Sequence, residues 1–274
     1  MERYFYPSSL EEAISLLEKF DGAKPIAGGT EINLKHGDVN YLCDLGNLGL
    51  NYIKDTGDVL IGATTTIAEI ADNPYTARYR ALREAADYFT ESVKNLATIG
   101  GNIAESVSSA DMAPPLIALG ARASLIGSGG ERILPVQDMF LGLRRSALRR
   151  GEILREFVLP KEAMSGKWTA SSYRRIGRTE SDLSISGVAV RLAMKDGEIV
   201  DVGIGVGLAG PTPLKAQKTE KFLLENGAEV EKASEVLAKE IDPRSSIRAS
   251  REYRIMVGKA LFKRALLSCM EELR

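Results

Sequence analysis

The sequence predicts an α+β fold in two domains, and three observations lead to that prediction. The chain has 274 residues, more than one small core usually holds. Short strand-like segments alternate with helical ones up to the proline-ended stretch "GEILREFVLP". Beyond it, two long alternating strands are followed by helices. We therefore predict one domain over residues 1–165 and a second over residues 166–274.

The first elements are marked by a capping signal and by short apolar runs. Ser8 with Glu11 predicts a capping box at the start of a helix, whose apolar face continues to about Phe20. Strands are predicted at "KPIAGG", "YLCDLG", "NYIKD" and "DVLIGA", with the turn "DTGD" joining the last two. Helices are predicted over residues 66–71 and 75–89, separated at Asn73-Pro74.

The middle of the chain predicts one helix, a hairpin and a strand. "ADMAPPLIALGA" places Pro114 and Pro115 in the first turn of a helix, where a missing N–H is tolerated. "ARASLIGSGGERILP" predicts a hairpin around a glycine-rich turn, and "GEILREFVLP" a strand ended by proline. "KEAMSGKW" is interpreted as the connection between the domains.

The C-terminal part predicts an antiparallel pair covered by helices. "LSISGVAVRLAM" and "EIVDVGIGVGL" are joined by the turn "KDG". The second strand has one apolar face, made of Val200, Val202, Ile204, Val206 and Leu208. Gly203, Gly205 and Gly207 lie on its other face, which favours close packing of a helix over approach of a ligand. The rest is predicted helical, with a core-facing stripe of Tyr253, Met256, Val257, Ala260 and Leu261.

Composition and charge narrow the possible functions. Apolar residues make up 44%, charged residues 27%, and the net charge is -1, as in an ordinary soluble globular protein. Nothing indicates nucleic-acid binding, and "LRRSALRR" is interpreted as a solvated surface or a subunit contact rather than an RNA site. We find no signal peptide and no apolar run near 18 residues, so neither secretion nor a membrane span is expected.

Cysteine and histidine are scarce. The two cysteines, Cys43 and Cys269, are too few for a disulfide framework or an iron–sulfur cluster, and a reduced, cytoplasmic location is expected. The one histidine, His36, is interpreted as a loop or turn residue. A metal site built on histidine and catalysis by a histidine-containing triad are therefore not expected.

Two glycine pairs are the strongest functional signal. "KPIAGGTEIN" covers residues 24–33, and "NLATIGGNIAESVSSAD" covers residues 95–111. Glycine permits positive φ and lets a ligand approach main-chain N–H groups, and several such groups together form an anion site. Neighbouring Thr and Asn side chains add neutral donors. Two such loops could hold a pyrophosphate from both sides, and Asp111 could accept a hydrogen bond from a ribose hydroxyl.

Neither glycine pair matches the common nucleotide motifs. The first lacks the lysine of GxxxxGK[ST], and so does the second, which disfavours a nucleotide triphosphatase. Neither is GxGxxG, so the usual dinucleotide fold is not indicated. A single Gly-Gly pair is weak support for ligand binding, because turns often contain one.

Taken together, the segments resemble a known family. "PIAGGTEI", and "LATIGGNIA" followed by "SSAD" and "PPLIALGA", resemble the two FAD loops of the flavoprotein (medium) subunit of molybdenum hydroxylases. This family includes the carbon monoxide dehydrogenase medium subunit and the FAD domain of xanthine dehydrogenase. "LCDLGNL", "LIGATTT", "GEILREFVLP" and the ending "SSIRASREYRIMVGKALFKRAL" follow in the family's order, so the resemblance covers nearly the whole chain.

The resemblance implies an architecture and a set of cofactor-binding residues. The first domain would be a two-part FAD-binding domain of the vanillyl-alcohol oxidase type, and the second a small unit of antiparallel sheet and helices. The implied FAD-binding positions are Lys24, Pro25, Ile26, Ala27, Gly28, Gly29, Thr30 and Glu31 on the first loop, Thr98, Ile99, Gly100, Gly101 and Asn102 on the second, and Asp111, Leu154 and Arg174. Gly29 and Gly101 are expected at positive φ and to be intolerant of side chains.

Arg174 and Tyr173 each have an alternative role, and the sequence departs from the family pattern in two ways. Arg174 matches a position where the family often has Lys near the flavin ring, and an interface or surface arginine is the alternative. Tyr173 is either a ring contact or a core tyrosine. Glu105 and Val107 stand where relatives have Asn and Pro. One branch of the family carries an inserted iron–sulfur cluster, which the two cysteines here cannot supply.

The resemblance also implies a function that depends on partners. Substrate would be oxidised on a large molybdopterin subunit, and electrons would pass through a small subunit with [2Fe-2S] clusters to FAD on this chain. An acceptor such as NAD, a quinone or oxygen would then remove them. The rival functions are a stand-alone flavin reductase or oxidase, such as the enolpyruvyl-sugar reductase, and a flavin-free assembly module. Residues 168–274 resemble a packing module more than a substrate domain.

Overall fold

A computed structural model describes residues 3–32, 39–164, 169–179 and 182–274. His36 lies outside the described residues, as do the last four residues of "KEAMSGKW" and the predicted domain boundary at 165. The described part is a mixture of helices and sheets, as the α+β prediction requires. Three sheets of three, five and four strands form its framework, together with a small two-stranded hairpin.

The N-terminal sheet is parallel and small. Its strand order is β1 (Arg3–Phe5), β3 (Tyr41–Asp44) and β2 (Lys24–Ile26), with the first glycine loop directly after β2. Helix α1 (Leu10–Lys19) packs its buried residues near β3. The predicted cap is wrong by one residue. Ser9 accepts a hydrogen bond from the Glu12 N–H at 3.2 Å, while Glu12 Oε2 accepts from the Ser8 N–H at 2.8 Å. The capping residues are thus Ser9 and Glu12, because the first of two adjacent serines lies outside the helix.

The second sheet is antiparallel and supports the other glycine segment. Its order is β4 (Ile53–Asp55), β5 (Val59–Gly62), β10 (Ile153–Leu159), β6 (Arg122–Gly127) and β7 (Gly130–Pro135). The predicted turn between β4 and β5 and the hairpin of β6 and β7 are both confirmed. The helices between β5 and β6 are α2 (Ile67–Asp72), α3 (Arg80–Ala86), α4 (Glu91–Lys94), α5 (Ile99–Ala104) and α6 (Ala113–Ala118). The short hairpin of β8 (Phe140–Gly142) and β9 (Arg145–Ser146) precedes β10.

The third sheet forms the C-terminal part. Its order is β11 (Thr169–Ile176), β12 (Ser186–Lys195), β13 (Glu198–Gly207) and β14 (Leu214–Lys215), followed by α7 (Gln217–Asn226), α8 (Val230–Glu240) and α9 (Arg251–Glu272). The predicted antiparallel pair is confirmed as β12 and β13. The glycine face of β13 packs on α6. A Cβ at Gly203 would lie 2.0 Å from the Ala118 carbonyl oxygen, and one at Gly205 would lie 2.1 Å from that of Pro114. The interpretation of that face as a helix-packing surface is therefore confirmed.

The predicted core stripe of α9 is only partly correct. Val257 and Leu261 are buried, but Met256 is 59% exposed and Tyr253 is 38% exposed. The buried face instead runs through Arg254, Val257, Gly258, Leu261, Phe262, Ala265, Leu266 and Cys269. Sequence periodicity missed this face because it contains an arginine and a glycine. A Cβ at Gly258 would lie 3.2 Å from Ile241, which marks where the helix approaches its neighbour.

The N-terminal and C-terminal parts share one packed interface. The largest apolar cluster combines helices α2, α3, α5 and α6 with Tyr173 of β11 and Ala189 of β12. The Ala81 N–H of α3 donates to the Ser171 hydroxyl at 3.2 Å, so α3 lies along the edge of the third sheet. Within the residues described, no helix combines the length and the apolarity needed to cross a bilayer.

Candidate cofactor site

The two glycine segments lie in direct contact. A Cβ added at Gly28 would lie 1.8 Å from the carbonyl oxygen of Leu96 and 3.3 Å from the Cα of Ala97. Leu96 and Ala97 immediately precede Thr98, the first residue of the second segment. Gly28 therefore serves as the point where one backbone touches the other, and any side chain there would separate them.

The first loop presents main-chain donors. Lys24, Pro25 and Ile26 form β2, after which Ala27 begins the loop. Gly29 adopts φ +69°, so the predicted positive φ is confirmed at this position. Over the described residues, the N–H groups of Gly28, Gly29 and Thr30 donate to no protein acceptor. Three successive unsatisfied N–H groups on a partly exposed loop are the donors that an anion would use.

The second glycine pair is helical rather than a loop. Gly100 and Gly101 lie in α5, which Thr98 caps by accepting a hydrogen bond from the Gly101 N–H at 3.1 Å. The prediction of positive φ at Gly101 is wrong, because the residue is part of the first helical turn. Thr98 is buried and Gly101 is exposed, so the segment offers a surface at its glycine.

The main-chain N–H groups at the start of α5 already donate to protein carbonyl groups. Ile99 N–H donates to the Thr65 carbonyl at 3.0 Å, Gly100 N–H to that of Ala63 at 2.9 Å, and Asn102 N–H to that of Thr98 at 3.0 Å. The expectation that both segments offer free N–H groups thus holds for the first loop only. The second segment can contribute its glycine surface and the side chains of Thr98 and Asn102.

Gly100 is required by the packing of α5 on the end of β5. A Cβ there would lie 2.5 Å from the Ala63 carbonyl oxygen and 2.7 Å from the Ala63 Cβ. The next residue, Thr64, is 7% exposed, and its hydroxyl oxygen has no hydrogen-bond partner. A buried hydroxyl beside the helix start is therefore available for a further hydrogen bond.

Asp111 is the centre of a buried polar cluster. Its Oδ1 accepts from the Tyr173 hydroxyl at 2.8 Å and from the Ser184 hydroxyl, and its Oδ2 accepts from Arg175 Nη1 at 3.0 Å. Burial raises the pKa of the Asp111 carboxyl, while Arg175, Ser184 and Tyr173 favour its charged form. Burial and the Asp111 charge raise the pKa of Tyr173 well above its ordinary value, so the phenol keeps the proton that it donates.

The cluster continues toward Tyr88 and the second glycine segment. The Arg175 guanidinium lies 4.8 Å from the centre of the Tyr88 ring, and the Tyr88 and Tyr173 rings meet edge to face at 5.9 Å. Asn102 Oδ1 accepts from the Met112 N–H at 3.3 Å, which links α5 to the residue after Asp111. A carboxylate has about four acceptor positions, so the three donors leave Asp111 room for roughly one more.

The structure separates Arg174 from this cluster. Arg174 Nη1 lies 2.7 Å from Glu84 Oε1 of α3, and its Nη2 donates to the Ser268 hydroxyl of α9 at 3.1 Å. Successive side chains of a strand point to opposite faces, so Arg175 and not Arg174 faces Asp111. Leu154 is 5% exposed and packs in the core cluster that also contains Ile99 and Ile103 of α5.

These residues fit a dinucleotide flavin. The first loop has unsatisfied N–H groups for a diphosphate, and Gly28 keeps the two segments close enough to border one ligand. Two buried side-chain atoms beside these residues have no hydrogen-bond partner. They are Thr64 Oγ1, next to the residue that accepts from Gly100, and Arg175 Nε, in the guanidinium that binds Asp111.

Sequence reasoning missed several members of this site. Arg175, Ser184 and Tyr88 were not singled out, and neither was the unpartnered hydroxyl of Thr64. The adjacent pair Arg174-Arg175 was a usable signal, because on a strand only one of two neighbours can face the same side. The strand β11 was not predicted, so that signal could not be applied.

Comparison with known proteins identifies the family of the chain. Residues 1–162 match the family model described as the FAD binding domain in molybdopterin dehydrogenase. Residues 171–269 match the one described as the CO dehydrogenase flavoprotein C-terminal domain.

Individual relatives match over almost the whole chain. The xanthine dehydrogenase FAD-binding subunit of Escherichia coli O157:H7 is 30% identical, over 96% of this chain and 94% of that protein. The carbon monoxide dehydrogenase medium chain of Afipia carboxidovorans is also 30% identical, over the same shares. The structure of the reconstituted CO dehydrogenase from Oligotropha carboxidovorans superposes with a TM-score of 0.93 at 27% identity, covering 99% of this chain and 98% of that one.

Proposed function

Because the chain belongs to the family of FAD-binding subunits of the molybdenum hydroxylases, we propose that it carries the last electron-transfer site of such a complex. FAD would lie between the first glycine loop and helix α5. Electrons would come from [2Fe-2S] clusters on a small subunit, after substrate oxidation on a large molybdopterin subunit. An external acceptor such as NAD, a quinone or oxygen would receive them. The observation that carries the proposal is the contact of Gly28 with Leu96, which joins two separate segments into one binding surface.

The chain's own residues would bind and orient the cofactor. The N–H groups of Gly28, Gly29 and Thr30 would donate to the diphosphate, with Lys24, Pro25, Ile26, Ala27 and Glu31 beside them. Thr98, Ile99, Gly100, Gly101 and Asn102 would border the other side, where Gly101 leaves an uncovered surface. When bound, FAD would supply the redox chemistry, since flavins accept and release electrons singly or in pairs.

Asp111, Leu154 and Arg174 would have separate roles. Asp111 would accept a ribose hydroxyl as its fourth hydrogen bond, while its other three bonds hold β11 and Ser184 against the N-terminal part. Leu154 would pack behind α5. Arg174 would act on the flavin through its charge, weakened by the paired carboxylate of Glu84. None of these roles needs a general base or a nucleophile.

The location proposed for the protein is the cytoplasm. The two cysteines, Cys43 and Cys269, are both free and buried. Burial raises the pKa of the Cys43 thiol to about 11 and that of Cys269 to about 12, so both stay protonated and unreactive at neutral pH. This arrangement supports a structural use of the thiols in a reducing compartment.

The test of the function is isolation of the native assembly from its own host. We expect the purified protein to carry FAD in equal amount to this chain, together with molybdenum, iron and two further subunits. Reduction of the complex by its substrate should bleach the flavin absorbance. A free single chain that oxidises its own substrate would contradict the proposal and favour a stand-alone flavin enzyme, and a colourless chain in a complex would favour a flavin-free assembly module.

A further inference from the structure

A single arginine joins the two glycine segments on the outside of the site. Arg144 lies at the turn of the β8–β9 hairpin, and its Nη1 is 3.3 Å from Glu31 Oε1. The same nitrogen also donates to Glu105 Oε1. Glu31 follows the first glycine loop, and Glu105 is the C-cap residue of α5. One guanidinium thus contacts both segments between which the cofactor is proposed to bind.

The backbone at this contact is unusual on both sides. Arg144 has φ +57° and Ser106 has φ +54°, values that non-glycine residues rarely adopt. Arg144 N–H donates to the Ser106 carbonyl at 2.8 Å. The Ser106 hydroxyl, in turn, lies 3.0 Å from the carbonyl oxygens of Gly142 and Arg145. Such conformations persist only where surrounding contacts fix them, so the hairpin is held in one position against the end of α5.

The charges of Arg144, Glu31 and Glu105 would affect an anionic ligand bound between the two segments. Glu31 and Glu105 place two carboxylates beside segments proposed to hold a diphosphate, and like charges repel. The Arg144 guanidinium contacts both carboxylates, and its positive charge offsets their negative charge. The side chains are partly exposed, at 50% for Arg144, 39% for Glu31 and 23% for Glu105, so dissolved salt should weaken the contact.

From these contacts we infer that Arg144 is a positioning residue that holds the first glycine loop and α5 at a fixed separation and so slows the release of FAD. This inference rests on the proposed function, since it concerns the same cofactor. Arg144 is the residue that binds the Glu105 carboxylate at the C-terminal end of α5. The segment "LRRSALRR", interpreted from sequence as a surface or subunit contact, thus contains a residue that contacts the site within the chain.

The experiment measures the rate of FAD release from the full-length chain in its native complex, by the rise of free-flavin fluorescence after dilution. The test variant is Arg144→Gly, which removes the guanidinium and also relieves the backbone at φ +57°. We expect release to be roughly fivefold faster at low salt, in line with the loss of two partly exposed ion pairs. Wild-type release should accelerate with salt, whereas Arg144→Gly should respond much less. The unfolding temperature of the flavin-free chain should stay the same or rise, which a merely structural role would not give.

Two further variants separate the alternatives. Arg145→Ala removes a positive charge from the next residue. In the described part of the chain Arg145 forms no ion pair, so the rate of FAD release from this variant should match that of the wild type. Glu105→Gln removes one partner of Arg144 without touching the glycines, and it should also accelerate release.

The outcomes are distinct. Equal release rates for wild type and Arg144→Gly would overturn the inference while leaving the proposed function intact. Faster release in Arg145→Ala to the same degree would also overturn it, because the effect would then be general charge. Unchanged or slower release in Glu105→Gln would also overturn it, because the contact of Arg144 with Glu105 would then not hold the two segments. A wild-type complex that holds no FAD would remove both the inference and the proposed function.

Discussion

Arg175 Nη1 lies 3.0 Å from Asp111 Oδ2, and the two side chains are 3% and 10% exposed. Asp111 belongs to the N-terminal part and Arg175 to β11 of the C-terminal part, so the ion pair crosses the interface between them. Two further donors from the C-terminal part, the hydroxyls of Tyr173 and Ser184, meet the same carboxylate. A residue that sequence resemblance assigns only to FAD therefore also fixes the position of β11.

The first prediction concerns the stability contributed by this ion pair. Arg175→Met should lower the free energy of unfolding by about 3–5 kcal/mol, because it leaves a buried carboxylate without its cation. The double variant Asp111→Leu with Arg175→Met should recover a large part of that loss, since neither charge remains. Chemical denaturation of the flavin-free chain measures both values. If the double variant loses as much as the sum of Arg175→Met and Asp111→Leu measured singly, the two side chains are not coupled.

The second prediction contrasts two glycines that look alike in sequence. Gly28→Ala should destabilise the fold by more than about 3 kcal/mol, because its Cβ would lie 1.8 Å from a main-chain oxygen that cannot move alone. Gly101→Ala should change stability by less than about 1 kcal/mol, since alanine favours the helix and the nearest atom is the Thr98 hydroxyl at 3.1 Å. Thermal unfolding of the two variants without FAD provides the comparison.

The same glycine gives a binding test. Gly101→Val adds a branched side chain to the exposed surface of α5, and we expect FAD affinity to fall by several kcal/mol while the chain remains folded. Titration with FAD, alongside Gly101→Ala as the smaller variant, measures the change. Stoichiometric FAD binding by Gly101→Val would show that α5 does not border the cofactor.

Much of the framework follows from local sequence patterns, and its exceptions have physical causes. The alternation of apolar residues predicts the β12–β13 pair. The glycines of β13 predict close packing on that face, because they have no side chains to keep a neighbouring helix away. Helix α5 was not predicted, since glycine disfavours helices in isolation. Here Gly100 is needed because α5 touches the Ala63 backbone, a tertiary contact that no local pattern shows.

The site was only partly predictable for a similar reason. The order of the two glycine segments indicated the loops, but not that the N–H groups of α5 are already bonded to residues 63, 65 and 98. The buried cluster around Asp111 depends on which of two adjacent arginines faces inward. That choice is set by the register of β11 with β12, where Arg175 pairs with Gly187.

The fourth prediction concerns pH and the carboxylate of Glu152, directly before β10. Arg132 binds Glu152 with two hydrogen bonds of 2.7 Å, and these bonds hold the pKa of Glu152 below its usual value. A carboxylate with a lowered pKa stabilises the fold fully above the unfolded pKa of about 4.3 and loses that contribution as the pH falls through the folded pKa. Glu152→Gln should therefore cost about 1.5–3 kcal/mol at neutral pH.

The pH dependence distinguishes this ion pair from ordinary surface charges. The difference in unfolding free energy between wild type and Glu152→Gln should shrink as the pH falls below about 4, where the wild-type carboxylate becomes protonated. Glu225→Gln is the control, since its ion pair with Lys221 is 3.6 Å long and exposed, and it should change stability little at any pH. A difference that is constant down to pH 2 would show that Glu152 acts by packing alone.

The last prediction asks whether Arg174 acts on the flavin by its charge. Arg174 and Glu84 are 2.7 Å apart and 28% and 19% exposed, so each partly cancels the field of the other. Arg174→Met should lower the two-electron reduction potential of bound FAD, because a cation stabilises the reduced anionic flavin. Glu84→Gln should raise it, since it removes the opposing charge, whereas both variants should lower the unfolding temperature by breaking contacts among α3, α9 and β11. Potentiometric titration of the two holoproteins measures the opposite shifts. If both potentials equal that of the wild type while both unfolding temperatures fall, Arg174 serves only to join these elements.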